Sequence, residues 1–564
     1  MIITNDKKYT PAKTAFGNAG LNTAMNFFAT NQALGASATD MGFMVIPRTA
    51  VDMTRTPEAG IETGRRELAS CLLYACMGFF GVGAAMTVGA ISDVKKYGKD
   101  VYKIPVGSQA VETLGSAWND ALDKHGRELG NNKDKVVKEY VNSIFDSVSG
   151  IDGDKATHIN SNPELKQEII DKMHNMLINE KGFKVDKKEK DILARKIIKA
   201  TSSGEHLTLN IKGQEPLKLS AKDLIDNTYS LGRAFMQDEV AKEFKNTKNI
   251  TDNQFVKSFK KFNRNKMVLG LGVASALGAG MQALNRYMTK KKTGSDGFCV
   301  YKDNNGQKAQ RDDSLLFKME KGAAAIGMAL FAATSIVSGE KVKGATKGFV
   351  SDTLKKFKTI PKKLEFTKVM PNMNQYKYIY GVTIMGRMLA ASDQNELRET
   401  TTRDILGFTS WLILGDVVAK AIGRAFEKKH NISLLNYHDK NANSGMQKLM
   451  HSSIKTHEEI LYSAKSDNLN KSVKEASKAA GDGAKKALKY LNIAQLGGYA
   501  ASGLVLGVGI PLLNKFITNK LHEKKLEKTE PNYVPPQNAK SSDKKLMENK
   551  VKQNKTFVGF TKEQ

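Results

Sequence analysis

Residues 68–92 read LASCLLYACMGFFGVGAAMTVGAIS, a run of 25 positions without a charged residue. At ~1.5 Å per residue, such a run makes a helix of roughly 37 Å, longer than the ~30 Å hydrocarbon core of a bilayer. Three more blocks of the same kind follow. Met267–Asn285 reads MVLGLGVASALGAGMQALN between Lys266 and Arg286; Gly322–Gly339 reads GAAAIGMALFAATSIVSG between Lys321 and Glu340. Tyr490–Asn514 reads YLNIAQLGGYAASGLVLGVGIPLLN. Each is long enough to span.

Their content sharpens that reading. Small residues recur at four-residue spacing: Gly81, Ala85 and Gly89; Gly270, Ala274 and Gly278; Gly503 and Gly507. In water an interior Gly costs a helix about 1 kcal/mol relative to Ala. In lipid the backbone must satisfy its own hydrogen bonds, so the helix persists and a small-residue stripe lets two backbones approach. These eight positions are therefore the expected helix-packing contacts. The competing reading is a soluble all-α protein with Ala/Gly-rich central helices.

Two further segments are marginal. Residues 378–392, YIYGVTIMGRMLAAS, carry Arg387, and 405–426, ILGFTSWLILGDVVAKAIGRAF, carry Asp416, Lys420 and Arg424 at four-residue spacing. A charge at mid-bilayer costs on the order of 3 kcal/mol on insertion scales unless it is partnered. Arg387, Asp416 and Lys420 are thus the candidate intramembrane polar residues, with Asp416 and Lys420 one turn apart and able to pair. Glu396, Arg398, Glu399, Arg403 and Asp404 lie between them, so a buried charge network is one expectation and an exposed connection the other.

The average composition hides this segregation. The 564-residue chain has 87 Lys and Arg against 58 Asp and Glu, a net +29, and a mean hydropathy of −0.40. The positive charge collects in the connections, above all in 341–375 and in the tail 515–564. That pattern suits cytoplasmic loops and anionic lipid, and 341–375 is expected on the cytoplasmic side. Six spans would leave the Lys-rich tail on the opposite face from that connection, so the number of spans and the sidedness stay open. No basic face with aromatic platforms or recognisable module argues for nucleic acid.

Between the blocks, residues 93–266 read as an α-rich soluble domain. Val136, Val137, Tyr140, Val141, Ile144, Phe145 and Val148 follow a helical rhythm, as do Leu165, Ile169, Ile170, Met173 and Leu177. Further helices are expected at 187–200, 221–244 and 251–262. His206–Leu219 alternates about a Gly-containing turn and reads as a β-hairpin. A second hairpin is expected at 298–310, and a basic helical connection at 427–489. The N-terminal segment 1–67 is partly apolar, with a re-entrant path as one option, and the tail beyond 515 reads as disordered.

The search for chemistry is thin. There is no phosphate loop, nucleophile elbow, HExxH or paired CxxC, and three scattered Cys build no metal site. No catalytic residue, metal or cofactor is expected. The expected fold class is a mostly α, multi-pass helical membrane protein of four to six spans, with an α-rich soluble domain containing a small β-hairpin. Its expected role is non-enzymatic, in membrane organisation or protein interaction. The alternatives are a small-solute transporter or channel and, behind it, an enzyme in 94–265. Expected partners are the bilayer, anionic lipids through the Lys-rich connections, and a further copy of the chain; a bacterial cytoplasmic membrane is the expected location.

Overall fold

A computed structural model describes residues 22–27, 32–98, 100–152, 155–180, 182–203, 207–294, 311–337, 355–368, 371–437, 444–463 and 480–529. The chain divides into two compact units, 1–510 and 511–564, and in the second the described residues 511–529 are helical. The second expected hairpin, at 298–310, lies outside the described residues, as do 341–354, 464–479 and the tail from 530.

The described chain opens with α1 (22–27), α2 (Gln32–Thr39), a π-helical stretch (Asp40–Val45) and α3 (Ile46–Met53). Thr56 then accepts from the Ala59 amide at 3.1 Å and Pro57 takes the first helical position, which starts α4 (Pro57–Ala75) well before the uncharged run. At Cys76 ψ falls to −2°, and α5 (Met77–Ile91) departs from α4 at 48°. The single helix expected over 68–92 is therefore a bent pair.

A helical domain follows, built from α6 (Ser108–Lys124), α7 (Lys133–Asp146), α8 (Pro163–Asn179), α9 (Lys187–Thr201), α10 (Ala221–Phe235) and α11 (Asp238–Asn246). Its antiparallel sheet comprises β1 (Val148–Asp152), β2 (Lys155–His158), β3 (Leu207–Leu209) and β4 (Leu217–Leu219), in the order β2-β1-β3-β4. The hairpin pairs Leu207 with Leu219 and Leu209 with Leu217. The helical reading carried through Val148 is corrected, since α7 ends at Asp146 and Val148 opens β1. The two strands were missed because Ser149, Gly150, Lys155 and His158 carry no apolar alternation; β1 pairs with β3, and β2 with β1, to make the sheet.

The segment expected as a helix at 251–262 and a separate span from 267 is one helix, α12 (Gln254–Thr293), 40 residues long and capped by Asn253. After it come α13 (Leu315–Val337), α14 (355–357), α15 (Ile360–Leu364), α16 (Met373–Ala390) and α17 (Gln394–Thr409). A second π-helical stretch (Ser410–Leu414) joins α17 to α18 (Gly415–His430). Then come β5 (Leu435–Tyr437), α19 (Gly445–Met450), β6 (Ser452–Ile454), α20 (His457–Ser463) and α21 (Asp482–Leu504). A third π-helical stretch (Val505–Gly509) leads into α22 (Ile510–Thr529).

Among the described residues two large cores, and a small third around Met44, Leu506 and Ile510, hold the first unit. One centres on Trp118, Tyr140, Phe235, Phe244 and Phe255 of the helical domain, and it also takes in Leu434, Ile460, Leu461, Leu488 and Leu491. Residues expected as a basic connection after 427 are thus partly domain core, tied further by Lys222 bonding Glu458 at 2.5 Å. The other core lies among α4, α5, α12, α13 and α16, around Tyr74, Met77, Ala274, Met328, Tyr376, Ile379 and Tyr380.

Among the described residues, Gln254–Thr293, Leu315–Val337 and Asp482–Leu521 are long and apolar enough to cross a membrane, and the α4–α5 pair adds a fourth if it is one span. Neither α16 nor the α17–α18 segment qualifies. On the qualifying helices large apolar side chains face outward, among them Phe79, Ile91, Val268, Leu315, Ile326 and Leu504.

The small residues divide by face. A Cβ on Gly81 or Gly270 would meet the Phe366 ring at 2.6 or 2.8 Å, so both glycines admit the same aromatic wedge. One on Gly278 would meet Thr383 at 2.8 Å, and ones on Gly503 and Gly507 would clash with Phe43, for Gly507 with its carbonyl oxygen. Ala274 and Gly89 are buried, and Ala85 packs against the helical domain core. Gly272 has open space instead. Gly507→Ala should therefore destabilise the chain by about 1–3 kcal/mol, whereas Gly272→Ala should not lower its thermal midpoint in detergent.

A seam between α20 and α21 carries a titratable group. His457 Nε2 lies 2.7 Å from Asn492 Oδ1, and Asn492 donates to Asn22 Oδ1 at 2.6 Å. Burial holds His457 below its ordinary 6.5, so the unfolded chain binds that proton more readily and stability rises with pH. The contribution is present above pH 6.5 and is lost as pH falls below it. The thermal midpoint should drop between pH 7.5 and about 5, and His457→Asn should flatten that part of the profile.

Candidate functional site

The buried face of α17 is charged where a core helix would be apolar. Asp393 starts the helix by accepting from the Glu396 amide at 2.9 Å. Its buried residues are Glu396, Leu397, Glu399, Thr400, Arg403, Asp404, Gly407 and Phe408. The spacing is that of an amphipathic helix, with five of these eight positions polar. On α4 the facing residues are Glu62, Arg66, Glu67 and Ser70, also buried.

Arg387 of α16 sits between those two helices. It places Nη2 3.1 Å from Glu67 and 3.0 Å from Ser70 Oγ, and Nη1 3.3 Å from Asp404. Arg403 Nε donates to Asp404 at 3.0 Å. Glu67 also receives Arg48 at 3.3 Å and Arg66 at 3.4 Å. The central group is therefore four arginines on two carboxylates. Two satellites flank it: Arg286 pairs with Glu62 at 3.5 Å and with Glu396, and Arg55 bridges Asp52 and Glu399 at 3.5 and 3.3 Å.

Burying an ion costs several kcal/mol, recovered only through partners of good geometry. Here the six arginines and six carboxylates of these pairs balance in formal charge, with the arginine excess of the central group offset by the satellites. Asn285 extends the arrangement, accepting Arg65 Nε on its side chain at 2.5 Å. Arg48 anchors the group to the backbone, its Nε donating to the Leu506 carbonyl at 2.9 Å. Leu506 lies in the third π-helical stretch, which packs on the other two. A π turn breaks the regular i→i−4 bonding of a helix, so such a stretch can offer a carbonyl to a side chain.

An aromatic layer closes over the inner side. Tyr376 lies 4.9 Å from Tyr74, Tyr380 stacks on Trp411 at 5.6 Å, and the Tyr376 hydroxyl reaches Ser37 at 3.0 Å and Asp40 at 3.4 Å. Toward the outer side, Glu62, Arg66, Gln282, Asn285, Arg286, Arg387, Ala390, Glu396, Thr400 and Arg403 line a cavity of about 20 Å³, room for one or two water molecules. Lys266 and Arg286, the charges bounding the uncharged run of α12, are ~30 Å apart along the helix. The first donates to the Phe366 carbonyl at 2.9 Å, and the second belongs to this cluster.

Of the candidate polar residues, Arg387 is central to the group. Asp416 and Lys420 pair with each other at 2.5 Å on α18, with Asp416 about half exposed, and among the described residues no ion pair joins them to Arg387. Arg424 donates to the Gly445 carbonyl at 2.7 Å. The expectation missed Arg48, Arg55, Glu62, Arg66 and Glu67. Their signal was present: Glu62 and Arg66 are one turn apart, and Glu67 directly precedes the uncharged run. Among the described residues no group of three His, Cys, Asp or Glu is placed to hold a metal.

No protein-family model matches the chain, and comparison with curated proteins and with solved structures gives no match.

Removing the shared carboxylate tests what the cluster contributes. Glu67→Gln leaves the Arg48, Arg66 and Arg387 guanidiniums without their common counter-charge and should cost about 3–5 kcal/mol. Asp416→Asn breaks a partly exposed pair and should cost no more than about 1 kcal/mol. Thermal denaturation of the two variants in detergent gives the comparison.

Proposed function

We propose that the chain is an integral membrane protein without enzymatic activity, which anchors its α-rich domain at one face of a bilayer and serves membrane organisation or protein interaction. The observation that carries this reading is the paired character of the Arg387 cluster. Its carboxylates and guanidiniums bind one another across α4, α16 and α17, as groups do when they lock helices together. The outward apolar side chains of α5, α12 and α13 are the surface that lipid would cover. Lys-rich connections suit anionic headgroups at the border, and a bacterial cytoplasmic membrane is the proposed location.

A transporter or channel needs polar groups along a path. The cavity beside Arg387, at about 20 Å³, admits water but no organic solute, which favours the anchoring reading. An enzyme in 94–265 would need a convergent pocket there, and the centre of that domain is filled by packed aromatic rings. Alkaline carbonate extraction tests the proposal: the chain should stay with the membrane pellet, and its release into the soluble fraction would overturn it.

A further inference from the structure

Among the described residues no large hydrophobic side chain is exposed between Ile91 and Val268. The exposed surface of α12 therefore changes character abruptly partway along one helix. Lys257, Lys261, Arg264, Val268 and Gly272 are all exposed, and their spacing of three or four residues sets them in a row on one face. The row passes from basic to apolar without a break in the helix, and exposed apolar surface continues through Val273, Leu277 and Leu284. From Arg264 to the exposed Lys290 the helix is roughly 39 Å long, close to the ~40 Å of a bilayer with its headgroups.

The ordinary reasons for basic residues on a helix do not reach Lys261 and Arg264. Lys257 pairs with Asp252 at 3.5 Å and Lys260 with Glu112 at 2.7 Å. Among the described residues no ion pair joins Lys261 or Arg264 to an acid. The helix dipole favours cations in the last turn, where Lys290, Lys291 and Lys292 stand, and Lys261 and Arg264 lie well before it. What distinguishes them is the exposed apolar surface that begins one turn further on, at Val268.

We propose that Lys261 and Arg264 form a headgroup site for an anionic phospholipid, whose acyl chains lie along the exposed face of α12 from Val268 onward. A guanidinium offers paired donors to a phosphate and an ammonium adds a point charge. The aliphatic stems of both side chains can cover apolar surface while their charged ends stay at headgroup level. The backbone beneath them is fixed: Phe259 and Phe262 are buried in the core of the helical domain, and Asn263 donates to the Val106 carbonyl at 2.9 Å. A lipid held there would tie the domain to the bilayer at a defined point. This inference rests on the anchoring reading and adds a lipid preference to it.

The test uses the full chain in detergent, with phosphatidylglycerol or phosphatidylcholine of the same acyl chains added to the micelles. Binding to the folded state raises stability in a saturable way, so phosphatidylglycerol should raise the thermal midpoint to a plateau and phosphatidylcholine should not. The double variant Lys261→Glu/Arg264→Glu should need roughly tenfold or more phosphatidylglycerol for the same rise. Lys135→Glu/Lys138→Glu, an equal change of charge on exposed residues of α7, should respond as the wild type does. Equal midpoints in the two lipids overturn the proposal. So does a phosphatidylglycerol effect that survives intact in Lys261→Glu/Arg264→Glu, or one lost equally in the α7 variant. Inorganic phosphate reproducing the full effect also overturns it, because the occupant would then be a free ion. Should the first variant not fold, mass spectrometry of the lipid retained by the wild-type chain from an equimolar mixture decides: an excess of phosphatidylglycerol supports the site, and equal retention rejects it. Carbonate extraction reads anchoring without regard to lipid charge, so a failure here and a failure of the anchoring reading are told apart.

Discussion

The Glu67 carboxylate is the contact on which the apolar half of the molecule depends. It meets Arg48 of α3, Arg66 of α4 and Arg387 of α16. Through Arg387 it is joined to Asp404 and Arg403 of α17. Two neighbouring pairs of elements far apart in sequence, α3 with α4 and α16 with α17, are brought to one point, where each ion is tolerable only because the others are present. Such a junction fixes the relative register of its helices, because shifting any one would strand a buried charge. Apolar packing among Gly- and Ala-rich helices lacks that discrimination, since small residues offer similar surfaces at several registers.

The rest of the bundle accommodates that junction. Glycines on α5 and α12 admit Phe366, which sets those helices close together. Tyr74, Tyr376, Tyr380 and Trp411 cover the inner side of the charges with rings. The three π-helical stretches meet where Arg48 reaches the Leu506 carbonyl.

Much of this architecture was legible in the chain. The uncharged runs at 267–285 and 490–514 fall within helices long and apolar enough to cross a membrane. The hairpin of β3 and β4 and the cap of α10 by Ser220, which accepts from the Asp223 amide at 3.2 Å, also follow from local pattern. Less legible were α17 and the N-terminal helices. A stretch such as Gln394–Thr409 can read as an exposed polar connection because half of its inward stripe is charged. Hydropathy assigns such residues to water, and only their partners can reverse the assignment.

Local sequence determined the elements that depend on neighbouring residues: helix starts, helical periodicity, turns, and the segregation of apolar from Lys-rich segments. Tertiary structure alone decided that Arg387 meets Glu67, 320 residues away, and that Asp416 and Lys420 pair apart from them. It also decided that a group after position 430, including Leu434, Ile460 and Leu488, completes a core whose other buried residues precede position 263. The physical reason is the same in each case. A charge or an apolar side chain carries its own desolvation preference, but whether it is satisfied depends on groups that distant parts of the chain deliver.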